Sequence, residues 1–142
     1  SLGVSIVNKG KRGDTTATGL ARIDDVLVEK PGVVILLLGG NDALRRLPKK
    51  TTFENLSVII ERLQGSGAVV LLLGIQGGVL VDGYEADYRA LSRKYNTGYV
   101  SNVLDGLIGY AEYMSDGIHP NDRGYAVIAS RIVPVLKQMI RE

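Results

Sequence analysis

Cysteine is absent from this sequence and histidine occurs once. Without cysteine there is no disulfide framework and no thiol nucleophile, and cysteine usage leaves the redox compartment open. A single histidine argues against a zinc site, which needs several nitrogen or sulfur ligands, and no other pattern calls for a cofactor. Charge of either sign is nearly balanced at +2. The basic clusters Lys9–Lys11–Arg12 and Lys49–Lys50 are short and carry no aromatic residues to stack on bases, so nucleic acid is not expected as a partner. No apolar run approaches the roughly 20 residues that span a bilayer, so no membrane span is expected. No signal-peptide pattern is visible, and localisation stays open between periplasmic or secreted and cytoplasmic. What is present is an ordinary globular balance, 45% hydrophobic and 23% charged. The 142 residues fit one domain, 1–142, able to bury a core unaided.

Apolar runs alternate with helical patterns. Val4–Val7 reads as a short strand, followed by a glycine- and lysine-rich loop to Asp14. Thr15 or Thr16 caps a helix carrying Leu20, Ile23 and Leu27, which Pro31–Gly32 ends. Val33–Leu38 is apolar throughout, as a strand buried on both faces of a parallel sheet would be. A helix with Phe53, Leu56, Ile60 and Leu63 on one face follows, then a second buried strand, Ala68–Leu73. Gly74 to Gly83 is a glycine-rich loop, Tyr84 to Tyr95 a helix, and Gly98–Tyr99–Val100 a short last strand. After an irregular stretch, a final helix from about Asn121 turns Tyr125, Ile128, Ile132, Val135 and Met139 inward. Such alternation predicts an α/β fold, a three-layer α/β/α sandwich around a parallel sheet. The loops after Val7, Leu38 and Val100 leave strand carboxyl ends, where such folds bind ligands.

Three of these loops carry chemistry. His119 lies in Asp116–Gly117–Ile118–His119–Pro120, with a carboxylate three positions back that can orient its ring and stabilise an imidazolium. On spacing alone, a loop histidine that caps or packs against the last helix, with Asp116 as a turn residue, is the favoured reading. Gly39–Gly40–Asn41–Asp42 ends a buried strand. The glycines permit close approach, and the Asn41 amide suits an oxyanion donor worth roughly 3 kcal/mol in the transition state. The plainer alternative is a turn in which Asn41 or, better, Asp42 caps the next helix. Gly13 would offer a backbone N–H beside the same cleft, with Asp14–Thr15 opening a helix. Arg12–Gly13–Asp14 also spells an adhesion tripeptide, but nothing else in the chain supports that role.

Taken in order, Gly13 with Asp14–Thr15, Gly39–Gly40–Asn41–Asp42 and Asp116–Gly117–Ile118–His119–Pro120 resemble the second, third and fifth sequence blocks of the SGNH (GDSL-type) hydrolases. The small bacterial thioesterase I/arylesterase branch is the nearest likeness, and it extends over nearly all of the chain. The resemblance implies a flavodoxin-like SGNH hydrolase fold, no cofactor or metal, and serine-dependent hydrolysis of a small-molecule acyl ester or thioester. It implies His119 as general base and then acid, Asp116 as its orienting carboxylate, and Gly13 N–H with the Asn41 side chain as the oxyanion hole.

The family's first block, Gly-Asp-Ser-Leu, is not in this sequence. Ser1–Leu2–Gly3 reads better as a helix end with Gly3 as its cap than as a remnant of that block. Ser57, Ser92 and Ser130 fall on helices, Ser66 in a turn, and Ser115 beside Asp116; there is no G-x-S-x-G elbow. Neither G-x-G-x-x-G nor the Walker lysine pattern supports nucleotide binding. The resemblance therefore implies a fold lacking its first strand and helix, a segment of about 30–40 residues. That strand would sit between Val4–Val7 and Val33–Leu38, in a slot of about 9–10 Å filled by a separate segment or a domain-swapped copy. The alternative is a truncated or degenerate member of the fold without activity.

Overall fold

The computed structural model describes residues 2–76, 83–117 and 119–141. Three parallel strands form one sheet in the order β1 (Val33–Leu36), β2 (Val69–Leu73), β3 (Gly98–Val100). Val33 pairs with Val69, and Leu71 with Gly98. The helices are α1 (Thr16–Ala21), α2 (Ile23–Leu27), α3 (Gly40–Leu44), α4 (Lys49–Gly65), α5 (Tyr84–Tyr95) and α6 (Asp122–Arg141). Local chemistry explains their bounds. Thr15 and Thr18 form a reciprocal capping box at α1. Asn96, at φ 52°, takes the left-handed turn that ends α5.

Strand side chains alternate between two cores. Leu36, Val70 and Leu72 face Leu56, Ile59, Ile60 and Leu63 of α4 and Tyr84, Tyr88 and Leu91 of α5. Leu71 and Leu73 face Val103, Leu107 and the α6 residues Ile128 and Leu136. Three layers result, as the alternating pattern implied. A Cβ added at Gly98 would lie 2.5 Å from the Met139 sulfur, so the end of α6 presses on the start of β3. Near the other end of the helix, Arg131 donates to the carbonyls of Val103 and Asp105, beyond the end of β3. Helix α6 thus runs antiparallel to β3, and its N-terminus lies at the carboxyl end of the sheet.

Three expectations need correction. Val4–Val7 forms no strand: Val4, Ile6 and Val7 are exposed, and among the described residues no strand lies beside them. Residues 37 and 38 have left the ladder, so β1 is shorter than its apolar run. Tyr125 is exposed, and Leu136 takes an inward place instead. Strand β1 meets β2 along one edge, and among the described residues no strand lies along the other. On the α6 side of the sheet, Ile35 and Leu37 remain 39% and 42% exposed, because α6 covers the β3 end of the sheet. Both an edge and a face are open at β1.

Candidate active site

The Gly13 and Asn41 loops are built into one unit. Gly13 has φ 84°, a conformation that glycine adopts without strain. The Asn41 carboxamide donates through Nδ2 to the Asp14 carbonyl at 2.9 Å, tying the two turns together across 27 positions. Asp14 is held in turn by Arg22, through Nε at 2.7 Å and Nη2 at 2.6 Å, and by the Thr18 hydroxyl at 3.0 Å. Its burial and these partners remove the adhesion tripeptide from consideration.

Asp42 departs from its expected role. It does not cap its own helix, whose N-cap is Gly39. Its carboxylate, 2% exposed, accepts the Thr16 backbone N–H at 2.8 Å, the Thr16 hydroxyl at 2.7 Å and the Thr52 hydroxyl at 3.0 Å. It therefore satisfies a free amide at the start of α1 and fastens that helix to α4. A second anchor comes from Tyr88, whose hydroxyl donates to the Leu38 carbonyl at 2.6 Å. Tyr88 is fully buried, and burial raises its phenol pKa above the ordinary 10.0. Sequence reasoning missed both anchors; the only visible sign of the second was the inward spacing of Tyr84 and Tyr88 on α5.

The third loop folds onto the start of α6. Met114 and Pro120 form an isolated antiparallel bridge, and Asn121 N–H donates to the Tyr113 carbonyl at 2.8 Å. The Asn121 side chain accepts from Gly124 N–H at 3.0 Å and donates to the Glu112 carbonyl at 3.0 Å. Within this frame both Asp116 oxygens engage His119. Oδ2 lies 2.7 Å from ring Nδ1, and Oδ1 accepts the His119 backbone N–H at 2.7 Å. A ring that donates from Nδ1 to this carboxylate has Nε2 as its other nitrogen.

Four residues were expected to converge, and the structure brings them together as two pairs, Gly13 with Asn41 and Asp116 with His119. Both lie at the carboxyl edge of the sheet, one after β1 and the other before α6. A cleft of about 580 Å³ also opens at that edge, lined by Gln76, Glu85, Arg89, Tyr99, Asn102 and Arg131 among others, and none of the four borders it. In the glycine-rich stretch Gly74 to Gly83, Ile75 is buried in the core, while Val79, Leu80 and Val81 lie outside the described residues. Ser115 Oγ donates to the His119 carbonyl at 3.0 Å, away from the ring. Ser57, Ser66, Ser92 and Ser130 likewise engage backbone carbonyls near them in sequence. Among the described residues no group of three or more His, Cys, Asp or Glu is placed to hold a metal ion, and no helix is long and apolar enough to cross a membrane.

Residues 1–127 match the GDSL-like lipase/acylhydrolase family. The chain belongs to that family. It is 35% identical to the esterase TesA of Pseudomonas aeruginosa, over 95% of this chain and 71% of that protein. An arylesterase of Vibrio mimicus is 32% identical, over 94% and 70%. The crystal structure of TesA superposes with a TM-score of 0.87 at 35% identity, covering 94% of this chain and 78% of that one. The parallel sheet flanked by helices is the fold of this hydrolase family.

Proposed function

We propose that this esterase-type hydrolase cleaves small carboxylic esters or thioesters through an acyl-enzyme, with His119 as general base and Asp116 as its orienting partner. The supporting observation is the His119 ring held through Nδ1 at the sheet edge that also carries Asn41. A serine hydroxyl gives its proton to His119 Nε2 as its oxygen bonds to the acyl carbon. The negative oxygen of the tetrahedral intermediate takes hydrogen bonds from Gly13 N–H and from the second Nδ2 hydrogen of Asn41, the first being engaged by Asp14. His119 then returns the proton to the departing alcohol or thiol, and the acyl group stays on serine. Water, deprotonated by the same nitrogen, bonds to the acyl carbon; the bond to serine breaks, His119 returns the proton to the serine oxygen, and the acid leaves. The serine enters on a strand laid along the free edge of β1, from a segment preceding Val4 or from a second copy, with a helix covering Ile35 and Leu37.

The test is hydrolysis of p-nitrophenyl acetate by the protein carrying that serine-bearing segment. His119→Ala removes turnover to the background, and Asp116→Asn lowers kcat by orders of magnitude with the fold retained, because members of such a unit fail together. Full turnover by the His119→Ala protein refutes the assignment. A second reading, a family member without turnover, is favoured by the serine hydroxyls that engage backbone carbonyls. It stands if adding the segment restores no hydrolysis.

A further inference from the structure

We infer that Tyr88 is a positioning residue for the Asn41 donor: its buried hydroxyl fixes the backbone turn from which Asn41 projects. The inference rests on the assignment of Asn41 to the oxyanion hole and extends it to a residue on a different helix. Tyr88 sits on α5, and its hydroxyl reaches across the core to the carbonyl of Leu38, three residues before Asn41. That carbonyl follows the last ladder residue of β1, so the strand supplies it no regular partner and the phenol takes the place of one.

The close approach is built into the sequence. Gly39 has φ 118°, and a Cβ there would lie 2.3 Å from the Tyr88 oxygen. Glycine is needed at this position for the turn and for the tyrosine together. The ring itself has little freedom. Phe53 meets it edge-on at 5.1 Å between centroids, and Tyr84 lies 6.2 Å away. On the far side of Asn41, Asp42 is bound to Thr16 and Thr52. The turn is therefore clamped at residues 38 and 42, with the proposed donor between the clamps. Burial keeps the phenol protonated, so it remains a donor throughout the pH range in which an esterase works. Small displacements of such a donor matter: misplacement by about 1 Å can cost about a hundredfold in rate.

Tyr88→Phe keeps the ring and removes the donor. It is tested in the serine-bearing protein with p-nitrophenyl acetate, alone and combined with Asn41→Ala, with melting temperatures measured alongside. The expected result is a fall in kcat of about ten- to a hundredfold with KM within about twofold. In the Asn41→Ala background the same change should cost little more, because the donor it positions is already gone. The pH–rate profile of Tyr88→Phe should run parallel to the parent's. An unchanged kcat in Tyr88→Phe, when Asn41→Ala alone is impaired, overturns the inference and leaves the oxyanion assignment standing. An equal loss in both backgrounds also overturns it, marking Tyr88 as structural support only. If Asn41→Ala is itself as active as the parent, the underlying assignment fails.

Discussion

Asp42 shows how one carboxylate can govern two turns. It sits in the first turn of α3, yet its oxygens are taken up by the amide and hydroxyl of Thr16 and the hydroxyl of Thr52. A buried anion tolerates its place only when every lone pair facing the protein is met by a donor. Asp42→Asn replaces one acceptor oxygen with an NH₂ group facing a backbone N–H or a hydroxyl. It should cost about 2–3 kcal/mol of stability in urea unfolding, with faster amide exchange at Thr16. The residue type was readable from the sequence, but its partner was not. Capping rules look three residues along the chain, whereas this bond spans 26 positions. By contrast, the His119–Asp116 contact lies within one short loop, where spacing allowed the carboxylate to reach the ring and the family resemblance supplied the pairing.

At the scale of elements, α4 and α5 were readable nearly to their ends, since long apolar periodicity and a left-handed Asn96 are local signals. Val4–Val7 was not, because a strand exists only by virtue of its neighbour, and a β-branched run cannot announce whether one is present. The His119 loop depends on a contact equally invisible to pattern. A Cβ on Gly124 would fall 2.3 Å from the Tyr113 carbonyl oxygen and 2.9 Å from the Pro120 side chain. Backbone cannot yield there as a flexible side chain would. Gly124→Ala should therefore push the loop off α6, costing about 1–3 kcal/mol in thermal unfolding. In the serine-bearing protein it should lower kcat although residue 124 has no proposed chemical role.

For the molecule as a whole, the tyrosines set its behaviour in alkali. Tyr84, Tyr88 and Tyr99 all have pKa values raised from 10.0, chiefly by burial. In the unfolded chain they ionise near that ordinary value, while the folded protein keeps their protons. The folded state then holds more protons than the unfolded one, so stability falls as pH rises through 10 and beyond. Tyr88 alone contributes a slope of at most about 1.4 kcal/mol per pH unit. Urea titrations above pH 10 should show a shallower decline for Tyr88→Phe than for the parent; equal slopes would contradict this.

The three-layer architecture was legible at this scale because both buried strands are apolar on each face. The bare flank of β1 also has a meaning outside catalysis. A net charge of +2 gives molecules little mutual repulsion. A backbone row with no strand beside it among the described residues, bordered by Ile35 and Leu37, gives them a place to adhere. Whatever occupies that flank therefore decides whether a concentrated solution stays clear or turns cloudy, so colloidal behaviour and the completeness of the sheet are one property of this chain.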